Sequence, residues 1–278
     1  MIKKLSSGPY LVWIAMFIII PIGMILAFSL ATVTENGTLA LSLSNYARAF
    51  DPIYILVLGR SLKIALEATL ICFILGYPMA MILAKMPNKY RTISVMLFVV
   101  PMWMNFLLRT YAWMTILGKN GILNGLLSLI GLPQVTFLYS EGAVLLGMVY
   151  NFLPFMVLPI YTVLTKMDKS LIEAAEDLGG NKKTVFLKVV FPLSLPGILS
   201  GVSMVFMPAV STFVISNLLY GGQYMLIGNL IEQQFLVVND WNFGSAVAMI
   251  LMLLILLSMA IMNRAGGGNP EERGVNLW

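Results

Sequence analysis

Long apolar runs separated by short polar segments make up most of this chain. Six of these runs contain roughly the 20 mostly apolar residues that a helix needs to cross a membrane. They are Tyr10–Ala31, Ser61–Ala84, Ile93–Leu117, Ala143–Leu164, Pro196–Tyr220 and Phe243–Met262. Lipid offers no partner for backbone N–H and C=O groups, so each run is expected to form a helix, whose hydrogen bonds are internal. The pattern therefore predicts an all-α integral membrane protein with six transmembrane helices.

The composition excludes several classes of protein. Only 10% of the 278 residues are charged, against roughly 25% in soluble domains. The sequence has no histidine and one cysteine, Cys72, which excludes histidine-based catalysis, histidine metal sites and an internal disulfide. Cys72 is expected to be a buried apolar side chain. No G-x-x-x-x-G-K-[ST] motif occurs, so ATP binding through a P-loop is not expected. We predict a non-catalytic membrane subunit that binds no metal and no cofactor itself.

The distribution of lysine and arginine predicts the orientation. Twelve of them fall on the side that carries both chain ends and four on the other, which favours cytoplasmic termini. The larger set is Lys3, Lys4, Lys85, Lys89, Arg91, Lys166, Lys169, Lys182, Lys183, Lys188, Arg264 and Arg273, and the smaller is Arg48, Arg60, Lys63 and Lys119. We expect residues 1–9 to be a cytoplasmic N-terminus, 10–264 a transmembrane domain and 265–278 a flexible cytoplasmic tail.

A polar segment at about 166–192 interrupts the apolar pattern between the fourth and fifth spans. Ser170 and Glu173 have the S-x-x-E spacing of a capping box, which predicts a helix over Leu171–Leu178. Gly179 is expected to end this helix in a left-handed turn. Asn181 would then cap a second helix, Lys182–Val190.

Pro192 is expected to stop that second helix. In the first helix, four small or apolar side chains share one face and suit close contact with a partner: Leu171, Ala174, Ala175 and Leu178. The alternative is an ordinary amphipathic connector that lies on the lipid headgroups.

The segment Glu173-Ala174-Ala175, followed by Gly179, Val189 and Pro192, resembles the EAA loop of permease subunits from type I ABC importers. Phe191 stands where leucine is usual in that pattern. Other stretches, within about residues 45–260, are similar to polyamine permeases and most resemble the PotB-type subunit of spermidine/putrescine importers. They are Leu75–Pro78, Val100–Trp103, Arg109–Trp113, Leu226–Asn229 and Asp240–Gly244.

This resemblance implies a MetI-like permease fold in a bacterial plasma membrane. It also implies a second, PotC-like permease, two ATPase subunits that bind ATP and Mg, and an extracytoplasmic polyamine-binding protein. The residues expected to couple to the ATPase are Leu171, Glu173, Ala174, Ala175, Leu178, Gly179 and Pro192. Iron, thiamine and sulfate importers use similar permeases and remain alternatives for the solute, and an ion-coupled secondary transporter is a further alternative.

Candidate residues for the translocation pathway combine aromatic and polar side chains, because ammonium groups bind aromatic faces and carboxylates. The candidates are Trp103, Asn105, Arg109, Trp113, Tyr150, Asn151, Phe213 and Asp240. The aromatic ones fit equally well as anchors at the membrane interface. Arg109 would repel a polyamine, so we expect it to pair with backbone carbonyls or with Glu67. Glu67 itself could attract a polycation or pair with Lys63.

Overall fold

The structure, a computed structural model, describes residues 8–33 and 39–265. Of the predicted cytoplasmic ends at 1–9 and 265–278, residues 1–7 and 266–278 lie outside these described ranges. The described part is mostly helical, with one short hairpin and connecting loops, the longest of which is 130–140. The strands are β1 (Ala31–Val33) and β2 (Leu39–Leu41), which pair antiparallel with Ala31 opposite Leu41.

The helices in chain order are α1 (Gly8–Ile14), α2 (Ile20–Leu30), α3 (Ser44–Ala49), α4 (Pro52–Lys85), α5 (Asn88–Trp103), α6 (Phe106–Leu117), α7 (Ile122–Leu129), α8 (Glu141–Lys166), α9 (Lys169–Asp177), α10 (Lys182–Val185), α11 (Phe191–Ser211), α12 (Val214–Tyr220), α13 (Ile227–Gln233) and α14 (Trp241–Ala265). The described residues contain three π-helical turns, of which the first two join helices without a break and the third ends at the left-handed residue Asn239. They are Ala15–Ile19 before α2, Phe186–Val190 before α11 and Gln234–Val238 after α13.

Five helices of the described residues are long and apolar enough to cross a membrane, and a bent pair makes a sixth. The five are Val12–Leu30, Pro52–Lys85, Glu141–Lys166, Lys182–Ser211 and Trp241–Met262. The prediction of an all-α membrane protein is therefore confirmed, and two of the six predicted spans need correction.

The third predicted span, Ile93–Leu117, is not one helix. Helix α5 ends at Trp103, and the chain turns by 93° before it continues as α6. Met104 is extended, and the Asn105 side chain accepts hydrogen bonds from Leu107 N at 2.8 Å and Leu108 N at 3.4 Å. An asparagine that satisfies the free N–H groups of a first turn starts a new helix, which is why apolarity alone gave the wrong span here.

The fifth predicted span, Pro196–Tyr220, is displaced toward the N-terminus. One helix runs over Lys182–Ser211, and the chain breaks at Thr212 before α12 begins. The expectation that Pro192 stops the helix is wrong. Pro192 lies in the first turn of α11, next to a π-helical turn in which Phe191 N donates to Phe186 O. Because the extra residue of this turn changes the hydrogen-bond register, the missing proline N–H is accommodated without a break.

The described residues form two compact units, and the first comprises parts of 1–60 and 225–256. Here the Asn45 and Asn242 side chains both donate to Ala31 O, each at 2.8 Å. Ser29 Oγ lies 2.8 Å from the Tyr46 hydroxyl. These bonds tie the hairpin, α3 and the start of α14 together, so polar side chains fix the non-membrane part of this unit.

The second unit comprises parts of 61–224 and 257–278, and close contact between α8 and α11 forms its centre. Gly197 and Gly201 of α11 are buried one turn apart. A Cβ at Gly197 would lie 3.0 Å from Pro159 O and 3.1 Å from Ile160 Cα, and a Cβ at Gly201 would lie 3.1 Å from Met156 O. The G-x-x-x-G spacing therefore lets two helix backbones approach, as in other membrane helix pairs.

We predict that Gly197→Ala combined with Gly201→Ala lowers the free energy of unfolding by roughly 1–3 kcal/mol, because the backbone of α8 must move to make room. The matched control is Gly59→Ala with Gly125→Ala, since a Cβ at either position meets nothing within 4 Å. The control is expected to be neutral or stabilising, because alanine favours a helix over glycine. Thermal unfolding of the purified chain in detergent measures both, and equal stability of the two variants would contradict this packing.

Candidate functional site

Helix α9 of the polar segment begins at an aspartate, not at the predicted serine. The capping box of Ser170 and Glu173 is wrong, because the helix already includes Lys169 and Ser170. Asp168 is the extended residue before it, and its carboxylate accepts from Ser170 N at 2.9 Å. The hydrogen bond from the Ser170 backbone lowers the pKa of the Asp168 carboxyl. Because the pKa of Asp168 is lower in the folded than in the unfolded chain, the charged cap stabilises the fold at pH values above the ordinary aspartate pKa. This stabilisation is lost only as the pH falls through the lower, folded-state pKa, so the cap is charged at neutral pH.

Helix α9 ends in the left-handed turn predicted at Gly179, whose φ is +80°. Gly179 N donates to Glu176 O at 2.9 Å and Gly180 N to Ala175 O at 3.0 Å, the pair of bonds that defines a Schellman motif. Gly180 is equally constrained, although sequence reasoning did not single it out. A Cβ there would lie 2.5 Å from Ala175 O and 3.1 Å from Val185 Cγ2. Two adjacent glycines therefore fix the angle between α9 and α10.

The outer face of α9 presents apolar side chains to the surroundings. Leu178 is 89% exposed and Leu171 is 47% exposed. Glu173 and Ala174 are exposed beside them, whereas Ala175 is half-buried toward the joint with α10. An apolar side chain as exposed as Leu178 contributes little to the stability of this chain alone, so this face is available for contact with another molecule.

The second helix of the segment is continuous with a membrane span. Asn181 caps α10 as predicted, because its Oδ1 accepts from Thr184 N at 2.9 Å. The helix then runs through the π-helical turn into α11, so that 30 residues from Lys182 to Ser211 form one candidate span. Displacement of α10 would be carried along that helix into the membrane.

An aromatic cluster joins this helix to α4. The Tyr77 ring lies 5.9 Å from both the Phe186 and Phe191 rings, and its hydroxyl is 3.0 Å from Ser194 Oγ. Phe73 extends the cluster, with ring centroids 5.8 Å from Tyr77. Phe191, which departs from the usual leucine of the resembled pattern, thus contributes a ring to this contact.

We refer to Asp168–Pro192 as the elbow.

Two candidate pathway residues lie at the break between α5 and α6. Trp103, the last residue of α5, is 82% exposed. Asn105 uses its side-chain oxygen to cap α6. The role of Asn105 in the fold is therefore explained by local structure, and Trp103 is free to contact lipid, solute or another subunit.

The next group lies on α6 and α8. Trp113 and Tyr150 are in edge-to-face contact, with ring centroids 5.4 Å apart. Arg109, one turn before Trp113, is 8% exposed, and its Nε has no hydrogen-bond acceptor among the described residues. Asn151, next to Tyr150, is 2% exposed, and its Oδ1 has no hydrogen-bond donor among the described residues. The predicted pairing of Arg109 with Glu67 or backbone carbonyls is not seen, and the guanidinium lies 5.9 Å from the Phe106 ring centroid instead.

The two remaining candidates are Phe213 and Asp240. Phe213 is a half-exposed residue at the start of α12. Asp240, in the first unit, forms an ion pair with Arg48 at 2.8 Å and accepts from Phe243 N at 3.1 Å. The Arg48 guanidinium also lies 4.0 Å from the centre of the Phe243 ring. Asp240 is therefore a neutralised cap in this structure, and no sequence signal linked it to a cation 192 positions away.

Glu67 interacts with Lys63, one of the two possibilities that the sequence left open. Lys63 Nζ lies 3.6 Å from Glu67 Oε1 and 2.6 Å from Glu141 Oε1. Lys63 therefore pairs with Glu67 on α4 and with Glu141 on α8, so Glu67 is not an isolated acidic group. Cys72 is fully buried, as predicted.

Comparison with known proteins defines the class. The chain belongs to the family of binding-protein-dependent transport system inner membrane components, whose model matches residues 76–265. It is similar to a bacterial ABC transporter that imports the acidic polysaccharide alginate, with a TM-score of 0.80 over 95% of this chain and 94% of that one, at 17% identity. At that identity the likeness shows the fold alone, and the predicted type I ABC permease fold is confirmed.

More similar relatives have a narrower name, spermidine/putrescine transport system permease protein PotB. The protein from Salmonella typhimurium strain LT2 is 41% identical over 257 residues, which cover 91% of this chain and 90% of the relative. The one from Escherichia coli strain K12 is 40% identical and covers 91% and 94%. The one from Haemophilus influenzae is 38% identical over 267 residues.

We predict that Asp168→Ala loosens the start of α9, because the Ser170 N–H loses its side-chain acceptor. Amide hydrogen exchange of the purified chain should become faster at residues 169–172. Asp177→Ala is the matched control, since Asp177 is an exposed acid at the other end of the same helix and caps nothing at its start. Unchanged exchange in Asp168→Ala, or an equal change in both variants, would show that the cap does not hold this helix.

Proposed function

We propose that this chain is a permease subunit of an ATP-driven importer of polyamines and that the outer face of α9 is its contact with a separate ATPase. The observation that carries the proposal is the construction of the elbow. The exposed apolar face lies on α9, whose angle to α10 is fixed by Gly179 and Gly180. Helix α10 continues directly into a membrane span. A surface of this kind suits the transfer of motion from a soluble subunit to the membrane.

The mechanism follows from the contacts of this helix. When ATP and Mg on the partner draw two ATPase subunits together, they displace α9 and with it α10. The motion passes along α11, whose Gly197 and Gly201 lie against α8 and whose π-helical turn contacts Tyr77 of α4. Tightly packed contacts move together because a packed interior is not continuously deformable. The permease then opens outward to receive solute and reopens inward after hydrolysis.

The remaining subunits are proposed from the relatives. Because the relatives are PotB-type permeases, we expect this chain to assemble with a PotC-like second permease, two ATPase subunits and an extracytoplasmic polyamine-binding protein. One alginate transporter was solved with a periplasmic protein that carries the solute, which supports this arrangement for the fold. The charge distribution supports cytoplasmic termini and a cytoplasmic elbow. This chain would bind no nucleotide, metal or cofactor itself.

Polyamines are the proposed solute because the relatives that match over nine-tenths of this chain are named for spermidine and putrescine. The candidate pathway offers the aromatic faces of Trp103, Trp113, Tyr150 and Phe213 for ammonium groups. An ion-coupled transporter is less favoured, since Glu67, the acid on which it would depend, already contacts Lys63.

We predict that Leu178→Ser reduces substrate-stimulated ATP hydrolysis and uptake by about ten-fold or more, because an apolar anchor at the centre of an interface commonly contributes about 2 kcal/mol. Insertion and thermal stability should not change, since the side chain is 89% exposed. Asp177→Ser is the matched control, an exposed neighbour outside the apolar face. Coupled hydrolysis in proteoliposomes measures both, and normal coupling in Leu178→Ser would refute the docking role of this face.

We also predict the solute selectivity of the reconstituted importer. Unlabelled spermidine and putrescine should suppress the uptake of labelled spermidine, whereas thiamine, ferric iron and sulfate should not. The measurement requires all the subunits in one proteoliposome. Uptake of thiamine, iron or sulfate in preference to polyamine would assign the chain to the alternative solute class while leaving the permease fold intact.

A further inference from the structure

A cavity of about 920 Å³ lies behind the elbow, entirely within the second unit. Its walls are the last turn of α4, the first turn of α5, the last turn of α8 and the inner sides of α9 and α10. Neither the aromatic cluster nor the outer face of α9 explains it. The volume falls in the range of pockets that hold small molecules, roughly 300–1,000 Å³.

The charge of the cavity is strongly positive. Lys85, Arg91, Lys169 and Lys182 line it, against a single carboxylate, that of Glu176. Among the residues that the structure describes, none of these cations forms a salt bridge. Lys63 and Arg48, by contrast, are both engaged with carboxylates. Four cations against one carboxylate around the cavity favour an anionic occupant.

The other part of the lining is apolar. Met81 lies one turn before Lys85, Leu164 is in the last turn of α8, and Phe186 belongs to the start of the fifth span. These side chains sit on membrane-spanning helices near the ends where they leave the lipid. An occupant must therefore be anionic toward the elbow and apolar toward the membrane.

We propose that this cavity is a binding site for the headgroup of an anionic phospholipid. The glycerophosphate group would contact the cations, and the part of each acyl chain nearest the glycerol would contact the apolar wall. Basic pockets between membrane helices on the cytoplasmic side recognise lipids in this way. A free phosphate or nucleotide matches only the charge, and an acidic side chain of another subunit leaves the apolar wall unfilled.

The site would support the elbow from the membrane side. Lys169 and Glu176 lie on the inner face of α9, while Leu171 and Leu178 face away from the cavity's lining. A bound lipid would thus hold α9 in position without covering the proposed contact with the ATPase. This consequence depends on the proposed function, but lipid binding itself does not.

The test is a titration of the purified full-length chain with phosphatidylglycerol, read as the dissociation constant of the first bound lipid by native mass spectrometry. Lys85→Gln with Lys182→Gln should weaken binding by about ten-fold or more. The matched control is Lys89→Gln with Lys183→Gln, which removes two cations from neighbouring positions that do not line the cavity. The control should change the constant by less than about two-fold.

Two further arms separate the sources of the anion and the effect of misfolding. Glu176→Gln should tighten phosphatidylglycerol binding by roughly five-fold, since it removes the one repulsive charge. Phosphatidylcholine should bind weakly, and inorganic phosphate should neither bind nor displace the lipid. Equal loss in both lysine pairs, weaker binding in Glu176→Gln, or displacement by inorganic phosphate would each overturn the proposal. Because no readout involves uptake or ATP hydrolysis, failure here is distinguishable from failure of the proposed function.

Discussion

The close approach of α11 to α8 is the contact on which the rest of the structure depends. Lipid is as apolar as the side chains of these helices, so burial of apolar area from water does not hold them together in the membrane. Close packing does so instead, and it requires the absence of a side chain at Gly197 and Gly201. The same helix carries the elbow at its N-terminal end. Any displacement of the elbow must therefore also move the face of α11 that is in tight contact with α8.

Two features connect the elbow to the membrane helix that follows it. The π-helical turn Phe186–Val190 lets the helix pass Pro192 without a break, and its flanking phenylalanines contact Tyr77. The glycine pair Gly179 and Gly180 then sets a fixed angle to α9. The backbone of this charged segment thus has a defined, hydrogen-bonded geometry, although most of its side chains are exposed.

Local chemistry in the sequence predicted some features of the fold correctly and left others ambiguous. The left-handed turn at Gly179 and the cap at Asn181 follow from local chemistry, and both are confirmed. The start of α9 was wrong by two positions because Asp168 and Ser170 are both good caps, and the backbone of Asp168 decides between them. The break at Asn105 was missed because apolar residues continue on both sides of it.

Candidate pathway residues were harder to judge. Among the described residues, Arg109 Nε and Asn151 Oδ1 are buried without hydrogen-bond partners, and a role of these side chains in the pathway stays a prediction. Asp240 was a candidate because its carboxylate could bind an ammonium group, but the tertiary structure brings Arg48 to it. The pair Gly197 and Gly201 could have been found, since a G-x-x-x-G spacing within an apolar run is a known signal of close helix packing.

The central claim is that the exposed face of α9 is the contact with a separate motor subunit. A photo-crosslinking amino acid at position 178, in cells that contain the whole importer, tests it most directly, with position 187 as an exposed apolar control on the same polar segment. The account predicts a crosslink from position 178 to a soluble subunit that carries a P-loop, and none from position 187. A crosslink from position 178 to lipid alone, or to an extracytoplasmic protein, would contradict it.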